Sequence, residues 1–304
     1  MTIALTLPLL SCSSEQSTPQ PLPTSLPMAT QTSSALPIPF NRYGETLTNI
    51  TYCTPDNSPQ MLDIYFPDSG GPWPVLVYIH GGSWMYGDKS EPMISLFASG
   101  MNAQGYLVVP VNYRLYPDAS FPAMIQDVKC AVRFLRAHAA EYNLDPNRVG
   151  AVGVSAGGHL ASLLGTTDVS AGWDVGEYLD QSSSVRAVIA IAGVMDLSRP
   201  IPNADLETME RMGFGSQNAM NASPITHVTA DSSPFLLIHG DRDEVVPVEQ
   251  SQLMYDRLLL EQVPAQLVVI QNAQHSFIAP DETTTPTLPE INQIIQDFLA
   301  RYLK

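Results

Sequence analysis

The feature that most constrains the fold is the stretch of residues 149–160, where an apolar, β-branched run leads directly into a helical pattern. The run predicts a short buried strand, and residues 156–165 predict a helix. Between them lies Gly153-Val154-Ser155-Ala156-Gly157. A strand that turns abruptly into a helix strains the turn residue, so both flanking positions must be small to avoid Cβ clashes. Ser155 is therefore predicted to project at a helix N-terminus, where the helix dipole favours developing negative charge.

Short apolar runs alternate with helical patterns along the rest of the chain. The first two runs flank the turn-rich residues 54–59 and predict an antiparallel hairpin. The later runs are almost continuously apolar, which is typical of a parallel sheet that helices cover on both faces. The sequence therefore predicts an α/β fold with a mostly parallel central sheet. The predicted strands span 48–53, 61–66, 74–79, 106–111, 185–192, 234–238 and 265–270; the predicted helices span 123–142 (stopped by Asp145-Pro146), 251–262 and 290–303.

Residues 194–233 form a long insertion between two predicted strands. A compact domain tolerates such a segment mainly where it has a function, so it is predicted to cover a pocket as a partial lid, with residues 206–212 helical. Methionine side chains would make that cover adaptable, although they could equally well pack against the sheet. The methionines are Met195, Met209, Met212 and Met220.

A serine nucleophile needs a base, and the base needs an acid that orients it. His275 follows the last predicted strand and Asp243 follows the strand before it. Because the carboxyl ends of parallel strands lie along one edge, these loops can bring Ser155, Asp243 and His275 together. Asp241 and Glu244 are alternative acids in the same loop, but the spacing Gly-x-x-Asp-x-x-Val-Pro favours Asp243.

Attack on a carbonyl group produces an oxyanion that preorganised N–H groups must stabilise. The turn Gly81-Gly82-Ser83 follows the predicted strand 74–79, and consecutive glycines allow close approach of the backbone to a ligand. This turn and Ala156, the residue after Ser155, are the predicted oxyanion hole. Chemistry of this kind needs no metal and no organic cofactor.

The first twelve residues predict an export signal. Residues 2–10 are apolar and precede Cys12, as in a bacterial lipoprotein signal whose cysteine carries the lipid, although no Lys or Arg precedes the run. A merely hydrophobic N-terminus is the alternative. Residues 13–40 are rich in Ser, Thr and Pro and predict an extended tether, which leaves residues 41–304 as the catalytic domain. The predicted location is outside the cytoplasm, either anchored by lipid to the cell envelope or extracellular.

Charge excludes some partners. The net charge of −16 disfavours nucleic acid and anionic lipid surfaces. Cys53 and Cys130 could form a disulfide outside the cytosol or remain two buried thiols. Nothing in the sequence indicates an oligomeric state.

Five motifs together resemble the hormone-sensitive-lipase-like esterases of the α/β-hydrolase superfamily, closest to a small bacterial feruloyl-esterase-like or acetyl-esterase-like branch that is akin to kynurenine formamidases. The resemblance extends from about residue 48 to the end of the chain. The motifs are His80-Gly81-Gly82-Ser83-Trp84-Met85-Tyr86-Gly87-Asp88-Lys89, Val111-Asn112-Tyr113-Arg114-Leu115, Gly153-Val154-Ser155-Ala156-Gly157-Gly158-His159-Leu160, His239-Gly240-Asp241-Arg242-Asp243 and Gln274-His275-Ser276-Phe277.

The resemblance implies an α/β-hydrolase fold, Ser155 as nucleophile with Asp243 and His275, and structural roles for His80 and His159. Ser83 departs from it, since a third glycine is common at that position. The helices that cap such enzymes at their N-terminus have no counterpart in residues 13–39, which implies an open site that accepts bulky or polymeric esters.

The function expected from these features is hydrolysis of short-chain acyl esters, including acetyl or feruloyl groups on polysaccharide, by a serine carboxylesterase. An amidase, peptidase or arylformamidase with the same triad is the alternative. A non-catalytic binding protein on the same fold is a third reading, because a fold does not determine function.

Overall fold

The computed structural model describes residues 40–275 and 283–304, in which eight strands form one sheet. The predicted signal segment with Cys12, the tether up to residue 39, and the motif residues Ser276 and Phe277 lie outside the described residues. Phe40–Lys304 forms one compact unit. The strands are β1 (Thr46–Cys53), β2 (Gln60–Tyr65), β3 (Trp73–Ile79), β4 (Leu107–Val111), β5 (Leu144–Val154), β6 (Val188–Ile191), β7 (Phe235–Gly240) and β8 (Ala265–Ile270).

The sheet is mostly parallel, as predicted. Its strand order is β1-β2-β4-β3-β5-β6-β7-β8. The hairpin of β1 and β2 is antiparallel and β2 pairs antiparallel with β4, whereas every later pairing is parallel. The loops that follow β3, β5, β7 and β8 therefore emerge at the same edge of the sheet.

Helices cover both faces of the sheet, and each face has its own core. The apolar side chains of α2, α3 and α6 pack on one face, and those of α1 and α7 pack on the other. Within residues 40–275 and 283–304, no helix is both long and apolar enough to cross a membrane. The helices are α1 (Pro92–Asn102), α2 (Ala123–Ala137), α3 (Ala156–Thr166), α4 (Leu206–Met209), α5 (Ala219–Ala222), α6 (Glu249–Leu260) and α7 (Leu288–Tyr302).

Two of these helices correct the sequence prediction. Helix α1 was not predicted, although its buried residues Ile94, Ala98 and Met101 have helical spacing. Helix α2 ends at Ala137 and not at residue 142, and Asp145-Pro146 lies inside β5. The helix ends early because the chain turns towards the sheet there: the Leu144 N–H bonds to the Ala139 carbonyl.

Cys53 and Cys130 form a disulfide between β1 and α2, with their Cα atoms 6.4 Å apart. Both residues are buried. The bond joins residues 77 positions apart in the sequence. A link of that span restricts the unfolded chain, which typically stabilises a fold by about 2–4 kcal/mol.

Candidate active site

The junction of β5 and α3 has the strained geometry that its small residues predicted. Ser155 has φ 55° and ψ −118°, in the region that non-glycine residues rarely adopt. A Cβ on Gly153 would collide with the Gly157 carbonyl, and a Cβ on Gly157 would collide with the Ile79 carbonyl at the end of β3. The Ser155 N–H bonds to the Ile191 carbonyl of β6 at 2.8 Å. Packing on both neighbouring strands thus holds the serine at the sheet edge.

The loops after β7 and β8 meet at the same edge. Gly240 ends β7, and a Cβ there would collide with the Ala273 carbonyl of the loop after β8. The Arg242 N–H bonds to that same carbonyl at 2.9 Å. This close approach places His275 beside Asp243, with 2.6 Å between His275 Nδ1 and Asp243 Oδ2.

Of the three candidate acids, Asp243 alone among the described residues 241–244 is buried and bonded to His275; Asp241 and Glu244 are exposed. Its Oδ1 accepts the N–H groups of Val245 and Val246, each at 2.9 Å. Its Oδ2 lies 3.2 Å from His239 Nε2.

These donors determine the charge of Asp243. Burial alone would raise the pKa of the carboxyl group, but hydrogen bonds from His239, His275 and the Val246 N–H outweigh burial and hold the pKa well below its ordinary value. Asp243 is therefore ionised throughout the neutral pH range. An ionised carboxylate on Nδ1 leaves His275 Nε2 as the nitrogen that can accept a proton.

A cavity of about 500 Å³ opens beside Ser155. Its wall is largely apolar and includes Val245 and Val246, the residues that follow the Asp243 turn. The insertion supplies another wall, as the sequence predicted. The lining residues are Ser83, Trp84, Met85, Tyr86, Ser155, Ala156, Val194, Ile201, Pro202, Asn203, Ala204, Asp205, Thr208, Met209, Met212, Val245 and Val246.

The four methionines of the insertion separate into three environments. Met209 and Met212 line the cavity, Met195 is buried in the core, and Met220 is 66% exposed. Met212 therefore both lines the cavity and packs in the core, while Met195 packs in the core. The apolar contributions of Val194, Ile201 and Val245 were not predicted individually; the signal for them was their position in the insertion and next to Asp243.

The glycine turn after β3 lies against the serine. A Cβ built on Gly81 would lie 3.4 Å from the Ser155 Cβ. The Gly82 carbonyl accepts the N–H groups of Met85 and Tyr86, both at 2.9 Å, which closes the turn. Ser83 and Ala156 line the cavity together with Ser155. The assignment of their N–H groups and those of Gly81 and Gly82 to an oxyanion hole stays a prediction.

Two buried histidines support these loops. Trp84 Nε1 donates to His159 Nδ1 at 3.3 Å, and His159 Nε2 bonds to the Ala222 carbonyl of α5 at 2.7 Å. Burial lowers the pKa of His159 to about 4, so it is neutral and can accept from Trp84. His80 stacks on Tyr113, whose hydroxyl donates to the His80 carbonyl at 3.0 Å.

A metal site is not indicated in the part of the chain that the structure describes. No cluster of three or more His, Cys, Asp or Glu side chains there could hold an ion. The sheet edge presents the Ser155 hydroxyl, the Asp243–His275 pair and backbone N–H groups. Such a set suits nucleophilic attack by serine with a histidine base.

The sheet order, the elbow at Ser155 and the acid–histidine pair beyond it define the protein as an α/β-hydrolase. The chain belongs to the BD-FAE family, whose family model matches residues 62–258. It is similar to two proteins of Mycobacterium tuberculosis: LipM, named as a carboxylic ester hydrolase (36% identity, 69% of this chain, 51% of LipM), and the esterase LipC (33% identity, 67% of this chain, 53% of LipC). The chain thus spans about half the length of these curated relatives.

Solved structures are similar over a larger share of their length. A truncated carbohydrate esterase from gut microbiota is 27% identical with a TM-score of 0.72, over 86% of this chain and 96% of that one. Esterase Est2 from the planctomycete Thermogutta terrifontis, in a butyrate-bound structure, is 27% identical with a TM-score of 0.68, over 83% of this chain and 93% of that one.

Proposed function

We propose that the protein is a serine carboxylesterase with Ser155 as nucleophile, His275 as base and Asp243 as the acid that orients the base. The observation that carries this proposal is the 2.6 Å hydrogen bond between Asp243 and His275 at the sheet edge where Ser155 borders an apolar cavity. The esterase names of the relatives and of the similar structures support it.

In the proposed mechanism, His275 Nε2 removes the proton of Ser155 as the hydroxyl attacks the ester carbonyl. Asp243 holds the Nδ1–H of His275 and stabilises the imidazolium that forms. The N–H groups of the Gly81-Gly82-Ser83 turn and of Ala156 bind the oxyanion. The alcohol leaves with the proton from His275, and water then repeats the cycle on the acyl-enzyme.

We further propose that the acyl groups are short, such as acetyl, or aromatic, such as feruloyl, and that a polysaccharide can carry them. A largely apolar cavity of about 500 Å³ has room for such groups. One similar structure is a carbohydrate esterase by its title, and another is bound to butyrate, a short acid. Equal turnover of acetylated xylan and of a small aryl acetate would support the open site; rejection of every polymeric ester would contradict it.

The function is tested with p-nitrophenyl esters from acetate to palmitate, together with matched arylamides and formamides. We expect hydrolysis of the esters alone, with the highest rate at short chains. Paraoxon, which phosphorylates Est2, is expected to abolish activity and to add one phosphoryl group to the peptide that contains Ser155. Amide or formamide cleavage at ester-like rates would favour the amidase. The absence of both hydrolysis and a paraoxon adduct would favour the binding protein.

We propose export of the protein, with a lipid anchor at Cys12 or release into the medium. The disulfide between Cys53 and Cys130 supports an oxidising location, since such bonds are rare in the cytosol. We expect the native protein in the envelope or medium fraction, with no free thiol at either cysteine and, for the anchored form, loss from the envelope in Cys12→Ala. Recovery with both thiols free in the cytosolic fraction would contradict export.

A further inference from the structure

A second histidine contacts the acid of the site. His239 is the penultimate residue of β7 and is fully buried. Its Nε2 lies 2.8 Å from the Val246 carbonyl oxygen and 3.2 Å from Asp243 Oδ2. Its Nδ1 lies 2.7 Å from the hydroxyl of Ser251, a buried residue of α6. The ring is therefore held on both sides.

These partners fix which nitrogen carries hydrogen. Nε2 of His239 faces two oxygens that can only accept, so it must be a donor. The Ser251 hydroxyl can donate to Nδ1, which keeps the ring orientation without a charge. Asp243 consequently accepts two backbone N–H groups on Oδ1 and the Nδ1–H of His275 on Oδ2, while the single Nε2–H of His239 is shared between the Val246 carbonyl at 2.8 Å and Asp243 Oδ2 at 3.2 Å.

The two imidazoles on Oδ2 differ in how firmly they are held. His239 lies on β7, which is flanked by β6 and β8, and is fully buried, whereas His275 lies in a loop and its side chain is 24% exposed. The backbone donors hold Oδ1, whereas Oδ2 depends on contact from a side chain. His239 supplies that contact from inside the core, at the oxygen that His275 uses.

We propose that His239 is a positioning residue, which fixes Oδ2 of Asp243 where it accepts the Nδ1–H of His275. The proposal rests on the esterase function proposed above. With His239 in place, two imidazole N–H groups face the negative charge on Oδ2 of Asp243. Among the contacts recorded for residues 40–275 and 283–304, the titratable side chains that reach this carboxylate are His239 from β7 and His275 from the loop after β8.

Two substitutions of His239 separate hydrogen bonding from packing. His239→Leu fills the space without a donor, whereas His239→Gln places an amide N–H near the position of Nε2. Per active site titrated with paraoxon, we expect His239→Leu to lower kcat roughly tenfold to hundredfold with little change in KM, the effect of losing one hydrogen bond to a charged group. His239→Gln should recover most of that loss.

The pH dependence of kcat/KM separates this role from simple packing, because a loss of packing alone would not shift it. Without the His239 donor, Asp243 holds the imidazolium proton of His275 more tightly, so the acid limb of kcat/KM moves to higher pH in His239→Leu. His138→Gln is the matched control, because His138 directly follows α2, away from Asp243, and bonds to the Phe134 carbonyl. It should leave kcat and the acid limb as in the wild type.

Three results would overturn the inference: equal losses in the leucine and glutamine variants, full activity per titrated site in both, or an unmoved acid limb. If His239→Leu does not fold, Ser251→Ala is the test instead. We expect Ser251→Ala to lower kcat by less than His239→Leu and to move the acid limb of kcat/KM in the same direction. Wild-type kcat and an unmoved acid limb in Ser251→Ala would contradict the proposal. Wild-type activity that survives Ser155→Ala would instead overturn the esterase. The low-field proton resonance of the His275 Nδ1–H, expected to shift in these variants, tests the contact without any substrate.

Discussion

Ser155→Ala is expected to lower kcat for p-nitrophenyl acetate by about a millionfold, the loss seen when the nucleophile of a serine hydrolase is removed. The reason is that the proposed reaction passes through a covalent bond to the Ser155 hydroxyl, for which alanine has no substitute. The fold should be unchanged, because the strained turn is held by backbone contacts: the Ser155 N–H bonds to the Ile191 carbonyl and the His159 N–H bonds to the Ser155 carbonyl. Alanine retains both groups.

The measurement is steady-state hydrolysis together with thermal unfolding. Ser162→Ala is the matched control, since Ser162 lies on the same helix, is buried, and bonds only within the helix in the described contacts, to the Gly158 carbonyl at 2.7 Å. The control should retain wild-type kcat. Hydrolysis by Ser155→Ala near the wild-type rate, with unchanged stability, would exclude Ser155 as the nucleophile.

The parts of this fold that the sequence could predict are those that depend on local patterns. The parallel strands are mostly apolar runs, and the elbow needs small residues partly for a local reason, because a Cβ on Gly153 would collide with the Gly157 carbonyl four residues further on. Helix α1 escaped prediction because Ser95, Ser99 and Gly100 interrupt its apolar positions and have low helix propensity. Its three buried side chains are recognisable as one apolar face only when the sheet against which they pack is known.

The remaining features depend on contacts between distant parts of the chain. Lys129 and Arg133 are fully buried on α2 because Asp174 reaches both, at 2.9 Å and 2.8 Å. Charged residues are almost never fully buried without such a partner, and the local sequence does not indicate which distant residue the partner is. The disulfide and the contact of His239 with Asp243 are of the same kind, since each requires the register between elements. The acid and its pairing with His275 were predictable from spacing, but its contacts with His239 and with the N–H groups of Val245 and Val246 were not.

Asp243→Asn is expected to lower kcat about ten-thousandfold, the effect known for this change in serine hydrolases that use a triad. The structure supplies the reason. The N–H groups of Val245 and Val246 require an acceptor at the Oδ1 position, so the amide oxygen of asparagine must lie there. The amide NH₂ then occupies the Oδ2 position and faces His275 Nδ1. A donor at that place forces Nδ1 to accept, which moves the hydrogen to Nε2.

An imidazole with its hydrogen on Nε2 cannot take the proton of Ser155, so the variant should fail in chemistry while still binding ester. The same amide also opposes the Nε2–H of His239, which adds a loss of stability to the loss of rate. The check is kcat and KM for p-nitrophenyl acetate, with Asp241→Asn as control, because Asp241 is an exposed acid in the same loop. If Asp241→Asn lost activity and Asp243→Asn kept it, the acid would be misassigned; if both stayed active, His275 would need no carboxylate partner and the triad itself would be wrong.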